Sequence, residues 1–205
     1  MSERDRGLYS FVRFPLLYQL FQNALGAERY RHTIVSQLVQ PEPGMTILDV
    51  GCGPGVLFPH LSNVSYTGFD LNAAHIQTAQ SNYPAATFRV GNVVTDLDLP
   101  EGSFDRVIAL GLLHHLDDAD AKALVLRLVK LLRQDGRVVT VDPTFVEHQH
   151  PAARLLARFD SGRHVRSPAQ YTSLCPEVPT KVRCFNDLLR VPYDHCAMVI
   201  DKPSD

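Results

Sequence analysis

The sequence predicts an α/β fold: a doubly wound, mostly parallel seven-stranded sheet with helices on both faces and a C-terminal antiparallel hairpin. Three observations carry this. Short apolar runs alternate with helical patterns from residue 46 to residue 141. Three glycines, Gly51, Gly53 and Gly55, follow the first apolar run at once. Two late strand-like runs are separated by a link, residues 192–195, too short for a crossover helix, so they pair antiparallel. Strands and helices alternating at this spacing build a parallel sheet. Right-handed crossovers then bring the strand C-termini, and any ligand, to one edge of it.

Each element has its own signal. Residues 9–39 read as helical, with apolar positions at Phe14, Leu17, Tyr18 and Phe21 and again at Ile34, Val35 and Leu38. Gly26 divides two helices, and Pro41, Pro43 and Gly44 stop them. Residues 46–50 form a buried strand, and 56–62 a short helix with Pro59 in its first turn. Residues 65–70 are the second strand, and 72–83 a helix with Ala73, Ile76 and Ala79 inward. Residues 87–90 and 104–110 are the third and fourth strands. The helix over 118–132 starts acidic and ends with Lys130 and Arg133, each matched to the macrodipole. Gly136 ends it, and 137–141 is the fifth strand. Residues 151–159 are helical. Ser167, Pro168 and Gln170 form a capping box with proline at the first helical position, opening a helix through Leu174. The late strands are 182–189 and 197–200.

The 205 residues make one domain with a core large enough to need no staples. Its parts are a helical cap (1–40), a cofactor-binding core (44–142), a helical insertion (143–180) and the terminal hairpin (181–201). Hydrophobic residues at 45% and charged residues at 20% are normal for a soluble globular protein. A net charge of −2 supplies no global field for a polyanion, so nucleic acid is not the expected partner. Residues 1–7 lack the apolar core of a signal peptide. Residues 8–25 are interrupted by Arg13, Pro15 and polar residues, so no transmembrane span is expected. Cys52, Cys175, Cys184 and Cys196 have no C-x-x-C spacing and read as reduced thiols of a cytoplasmic protein.

The strongest chemical signal is Leu48-Asp49-Val50-Gly51-Cys52-Gly53-Pro54-Gly55. A buried strand enters a loop with glycine at every second position, where the backbone can approach a ligand closely and take positive φ. A dinucleotide site would show G-x-G-x-x-G, but its third glycine position holds Val56. Asp70 ends the second strand, where a carboxylate accepts charge-assisted hydrogen bonds from a ribose diol. Such a diol occurs in NAD and in S-adenosylmethionine alike, and an aspartate there also caps helices.

The order DVGCGPG, Gly68-Phe69-Asp70, Gly91-Asn92-Val93, Phe104-Asp105-Arg106-Val107 and Leu113-His114-His115-Leu116 resembles the class I, Rossmann-like S-adenosylmethionine-dependent methyltransferases. The likeness covers residues 28–142, and the hairpin in outline. It implies a methyltransferase with S-adenosylmethionine as cofactor and S-adenosylhomocysteine as product. Carried over by motif, Gly51, Cys52, Gly53 and Gly55 would lie against the methionine part and the ribose. Asp49 would orient the amino group and Asp70 the ribose hydroxyls, with Leu71 beside them. Asn92 would face the adenine amino group and the Val93 amide a ring nitrogen. Asparagine stands where many relatives have aspartate, so that bond loses its charge assistance. Leu110 would supply a backbone contact near the sulfonium.

His114 is the candidate catalytic residue, a base near pKa 6.5 placed after the fourth strand. The competing reading makes both histidines structural, since many such enzymes rely on proximity alone. The fourth strand ends in Gly-Leu-Leu-His-His rather than the Asn-Pro-Pro-Tyr type of base-modifying enzymes, which favours a small-molecule acceptor. Tyr9, Tyr18, Arg29 and Arg31 lie in the cap, where an aromatic can face a sulfonium and an arginine a carboxylate. Arg163, His164, Arg166 and Tyr171 lie in the insertion, where two arginines could hold an anionic substrate group. Glu147, His148 and His150 lack the further ligands a metal needs, so no metal is expected. The expected reaction is methyl transfer to oxygen, nitrogen or carbon of a small molecule. The competing readings are a non-catalytic S-adenosylmethionine-binding or scaffold protein on the same fold, and an oxidoreductase on a dinucleotide fold.

Overall fold

The structure is a computed structural model that describes residues 26–92, 99–160 and 162–202. Its centre is a seven-stranded sheet: β1 (Thr46–Val50), β2 (Ser65–Asp70), β3 (Thr87–Val90), β4 (Phe104–Leu110), β5 (Leu132–Pro143), β6 (Lys181–Phe185) and β7 (His195–Asp201). They run in the order β3-β2-β1-β4-β5-β7-β6. The first five pair in parallel, while β7 is antiparallel to both β5 and β6. The late strands therefore do form a hairpin, and its second strand lies between β5 and β6.

Among the described residues five α-helices accompany the sheet: α1 (Ala27–Ile34), α2 (Ala73–Asn82), α3 (Asp118–Leu131), α4 (Pro151–Arg158) and α5 (Pro168–Ser173). Leu124, Leu128 and Leu131 of α3 share one core with Val107 and Val138. Ile34 of α1 and Ile76 and Ala79 of α2 share the other with Ile47, Ile108 and Val139. Alternate residues of β4 and β5 thus enter opposite cores, as strand alternation requires. α3 has Asp117 as its N-cap, accepting from the Asp120 amide, and α5 has the expected capping box of Ser167 and Gln170.

Four expectations need adjustment. The helix expected over 56–62 is only a 3₁₀ turn, Phe58–His60; Pro59 disfavours α geometry in the residue before it, and Leu61 is already extended. β5 starts at Leu132, directly after α3, and its register with β4 shifts between Phe104 and Arg106. Asp135, with φ 60°, turns the chain within the extra residues. The first late strand stops at Phe185, and Leu188 turns into the core that α1 shares. α1 passes into a π-helical turn, Val35–Val39, before Gln40 ends it in left-handed backbone. The remainder of the expected cap, with Tyr9 and Tyr18, lies outside the described residues.

Candidate active site

β1 and β2 end side by side, and the loop after β1 is built against the end of β2. The Gly51 and Cys52 amides both donate to the Phe69 carbonyl, at 2.8 and 2.9 Å. The Gly53 amide donates to Asp70 Oδ2 at 2.8 Å. Asp70 Oδ1 accepts from the Asn72 amide at 2.8 Å, and Asn72 itself caps α2 through the Ala74 amide. Asp70 thus ties the glycine loop to the start of α2. Gly51, Gly53 and Gly55 have φ of 77°, 54° and 76°, where a side chain is strained. They differ in surroundings. A β-carbon on Gly55 would stand 2.9 Å from the Phe88 ring, whereas one on Gly53 would meet nothing within 4 Å. Gly55 is small because the core is close; Gly53 lies over open space beside a carboxylate.

Asp49, in β1, is 3% exposed and accepts a 2.6 Å hydrogen bond from the Tyr66 hydroxyl. Burial pushes its pKa up to about 7; the Tyr66 bond opposes the rise and the charge of Asp70 adds to it. Cys52 is buried, and Leu71, just past β2, is 66% exposed despite being apolar. Asn92 is half-buried after β3, Leu110 is half-buried at the end of β4, and Val93 lies outside the described residues. Among the described residues, those expected from the first three motifs therefore lie along one edge, at the ends of β1 to β3, with Leu110 at the end of β4.

His114 sits on a 3₁₀ turn after β4, 5% exposed. Its Nδ1 is 2.8 Å from Asp142 Oδ1, at the end of β5, and its Nε2 is 3.1 Å from Asp160 Oδ1, beyond α4. Asp160 also accepts from the Gly162 amide at 2.7 Å and from the Tyr193 hydroxyl. Burial alone would lower the pKa of His114; the bonds to Asp142 and Asp160 outweigh it and raise the value to about 9. At neutral pH the ring is an imidazolium clamped between two carboxylates. A ring in that state has no lone pair with which to take a proton, so the expectation of His114 as base does not fit this geometry. His115 is exposed, its ring centroid 4.1 Å from that of His114. Burial and then the neighbouring His114 charge lower its pKa.

The arginine expectation also changes. Arg166 is 5% exposed and bonds Asp118 Oδ1 through Nε and Nη2, at 2.9 and 2.7 Å. Its other contacts are the carbonyls of Leu113, His164 and Leu116, at 2.9, 3.0 and 2.8 Å. The guanidinium is a pin between the insertion and the β4–α3 loop, with no donor aimed at a substrate. Arg163 is exposed. Arg29 pairs with Asp187 at 2.8 Å on the surface, and Arg31 lies 3.6 Å from Glu28. Among the described residues, one N-terminal side chain beside the site was not singled out from sequence. Tyr30 of α1 has its ring 5.4 Å from that of His195, and besides burial, the charges of Asp142 and Asp49 both act on its hydroxyl. Asp160, Tyr193 and His195 were also missed. Asp160 and Tyr193 stand in loops and His195 opens β7, far from any motif, and no local pattern points to them.

A seven-stranded α/β sheet with a glycine loop after β1 and an aspartate closing β2 is the architecture of the class I, Rossmann-like S-adenosylmethionine-dependent methyltransferases. Residues 47–136 match the family model described as "Methyltransferase domain". It is 34% identical over 133 residues to nocamycin O-methyltransferase of Saccharothrix syringae, spanning 59% of this chain and 46% of that protein. It is 28% identical over 137 residues to an uncharacterized methyltransferase of Synechocystis sp., 63% of this chain and 64% of that one. The chain thus spans about half to two thirds of the length of these relatives. A TehB-like S-adenosylmethionine-dependent methyltransferase from Corynebacterium glutamicum has the same fold, with a TM-score of 0.68 over 96% of this chain and all of that one, at 17% identity. Among the described residues no helix is long and apolar enough to cross a membrane.

Proposed function

We propose that this protein transfers the methyl group of S-adenosylmethionine to a small molecule. One observation carries the reading: the Gly51–Gly55 loop, bonded to Asp70 through the Gly53 amide, leaves open space over Gly53 beside a carboxylate at the sheet edge. A nucleoside with a ribose diol fits that cradle. S-adenosylmethionine, once bound, supplies an activated methyl group. Gly51, Cys52, Gly53 and Gly55 line its amino-acid and ribose parts in this reading. Asp49 orients the ammonium, Asp70 accepts from the ribose hydroxyls, and Leu71, Asn92 and Val93 border the base. The backbone at Leu110 faces the sulfonium side. His114 holds position between β5 and the loop that carries Asp160.

The small-molecule acceptor is favoured by the Gly-Leu-Leu-His-His ending of β4 and by the near-neutral charge. The likeness to nocamycin O-methyltransferase agrees with it. The reading keeps a cytoplasmic protein with its four thiols reduced. Calorimetric titration with S-adenosylmethionine, S-adenosylhomocysteine and NAD tests it. Saturable binding of the first two, with NAD far weaker, is the expected result. NAD binding more tightly than S-adenosylhomocysteine would end the methyltransferase reading, and cofactor binding without transfer to any metabolite would leave a binding protein.

A further inference from the structure

Asp142 ends the parallel part of the sheet with 1% of its surface exposed. Its Oδ1 accepts from the His114 backbone amide at 3.2 Å and faces His114 Nδ1 at 2.8 Å. Its Oδ2 is buried with no hydrogen-bond partner. His195 Nδ1, on β7 beside β5, is a second buried polar atom without a partner, in a residue 6% exposed. A buried carboxylate oxygen left unsatisfied is costly. Two orphaned polar atoms at neighbouring strand ends, on the edge where ligands bind, point to a donor that arrives from outside.

The neighbourhood says which ligand. Tyr30 lies against His195 and within the field of both Asp142 and Asp49. It therefore packs on the first residue of β7, beside the end of β5. His114 is fully engaged through both ring nitrogens, so it anchors Asp142 and leaves Oδ2 as the open valence.

We infer that Asp142 Oδ2 is the acceptor-binding and proton-accepting group, and that the acceptor is a hydroxyl or amine compound. The inference rests on the methyl-transfer reading. The acceptor's O–H or N–H donates to Oδ2. As its oxygen or nitrogen bonds to the methyl carbon, the carbon–sulfur bond breaks and its electron pair stays on sulfur. The acceptor's proton passes to Oδ2, leaving a carboxylic acid that later releases it to solvent. His114 is a positioning residue: it fixes the carboxylate and balances its charge before the proton arrives. A carboxylate acceptor is disfavoured twice, since it brings no proton to donate and its charge opposes that of Asp142.

The test compares wild type with Asp142→Asn, which keeps Oδ1 for His114 and replaces only Oδ2. A phenol, a primary alcohol, a primary amine and a carboxylic acid of matched size are offered with S-adenosylmethionine, and products are read by mass. The phenol and the amine are also titrated calorimetrically into the S-adenosylhomocysteine complex. Wild type is expected to methylate hydroxyl or amine probes and not the acid. Asp142→Asn should lower kcat by about 10²- to 10⁴-fold. It should also weaken probe binding by about tenfold or more, and change S-adenosylhomocysteine affinity by less than about twofold. If Asp142→Asn does not fold, Asp142→Glu keeps the charge opposite His114 while displacing the oxygen, and the same losses are expected. Preferred methylation of the acid, no transfer to any hydroxyl or amine, or a variant with full kcat and unchanged probe binding overturns the assignment of Asp142. A wild type that binds no S-adenosylhomocysteine instead sinks the methyltransferase reading, and this inference with it.

Discussion

His114 and Asp142 are joined twice: the carboxylate Oδ1 lies 3.2 Å from the histidine's backbone nitrogen and 2.8 Å from its ring Nδ1. One oxygen thereby fixes both the turn after β4 and the ring that the turn carries. The opposite ring nitrogen faces Asp160. The pKa of His114, raised to about 9, makes this clamp dependent on pH. The group binds its proton more tightly folded than unfolded. Its stabilisation is therefore complete below the unfolded value of about 6.5 and is lost as pH rises through about 9. The difference in unfolding free energy between wild type and His114→Gln should shrink by about 3 kcal/mol from pH 6 to pH 10. Urea titrations across that range check it; a difference independent of pH would show that the ring is neutral in the fold.

Asp49 couples cofactor binding to pH. Its pKa, raised by burial to about 7, leaves it about half protonated at neutral pH. If its carboxylate receives the cofactor ammonium, binding requires the charged form and releases a proton. S-adenosylhomocysteine affinity should rise between pH 6 and pH 8, and Asp49→Asn should remove the contribution of this group. Calorimetry in buffers of different ionisation enthalpy reads the proton release directly.

The glycine loop allows two substitutions with opposite signatures. Gly55→Ala would drive a β-carbon to 2.9 Å from the Phe88 ring and 3.1 Å from Tyr83, so it should destabilise the fold by about 2 kcal/mol or more. Gly53→Ala meets no protein atom within 4 Å. It bears only the left-handed backbone penalty, about 1 kcal/mol, while its methyl group enters the space assigned to the ligand. Cofactor affinity should fall more than stability does. Thermal melts and cofactor titrations of the two proteins separate the effects.

Arg166→Lys is not a conservative change here. The guanidinium serves one carboxylate and three carbonyls from a buried position, and an ammonium cannot span that fork. Asp118 is itself exposed, so the loss comes from the buried carbonyls left without donors, and about 1–3 kcal/mol is expected from thermal melts. A change in acceptor preference with full stability would return Arg166 to the list of substrate-binding residues.

The parallel half of the fold was legible because its signals are local. Alternating apolar residues, caps and glycines delimit β1 to β4, α2 and α3 within a residue or two. The glycine loop and Asp70 are legible for the same reason: both lie at strand ends that the chain itself marks. The acceptor side is not written that way. Tyr30, Asp142, Asp160 and the neighbouring Tyr193 and His195 come from four separate places, and only the sheet order brings them together. The surroundings of Arg166 and His114 were hidden by the same limit. Composition marks a charged side chain as exposed or reactive, and only the fold shows that every donor already has a partner.

The placement of β7 between β5 and β6 has a consequence for biosynthesis. A nascent chain that has delivered β1 to β5 still presents the outer side of β5 as an unpaired hydrogen-bonding edge, and β6 cannot cover it because β6 pairs only with β7. At roughly 5–20 residues per second, translation leaves that edge bare for several seconds while the insertion emerges. Chaperone engagement and cotranslational aggregation should therefore peak after the ribosome passes residue 143, and subside once the strand from His195 is released.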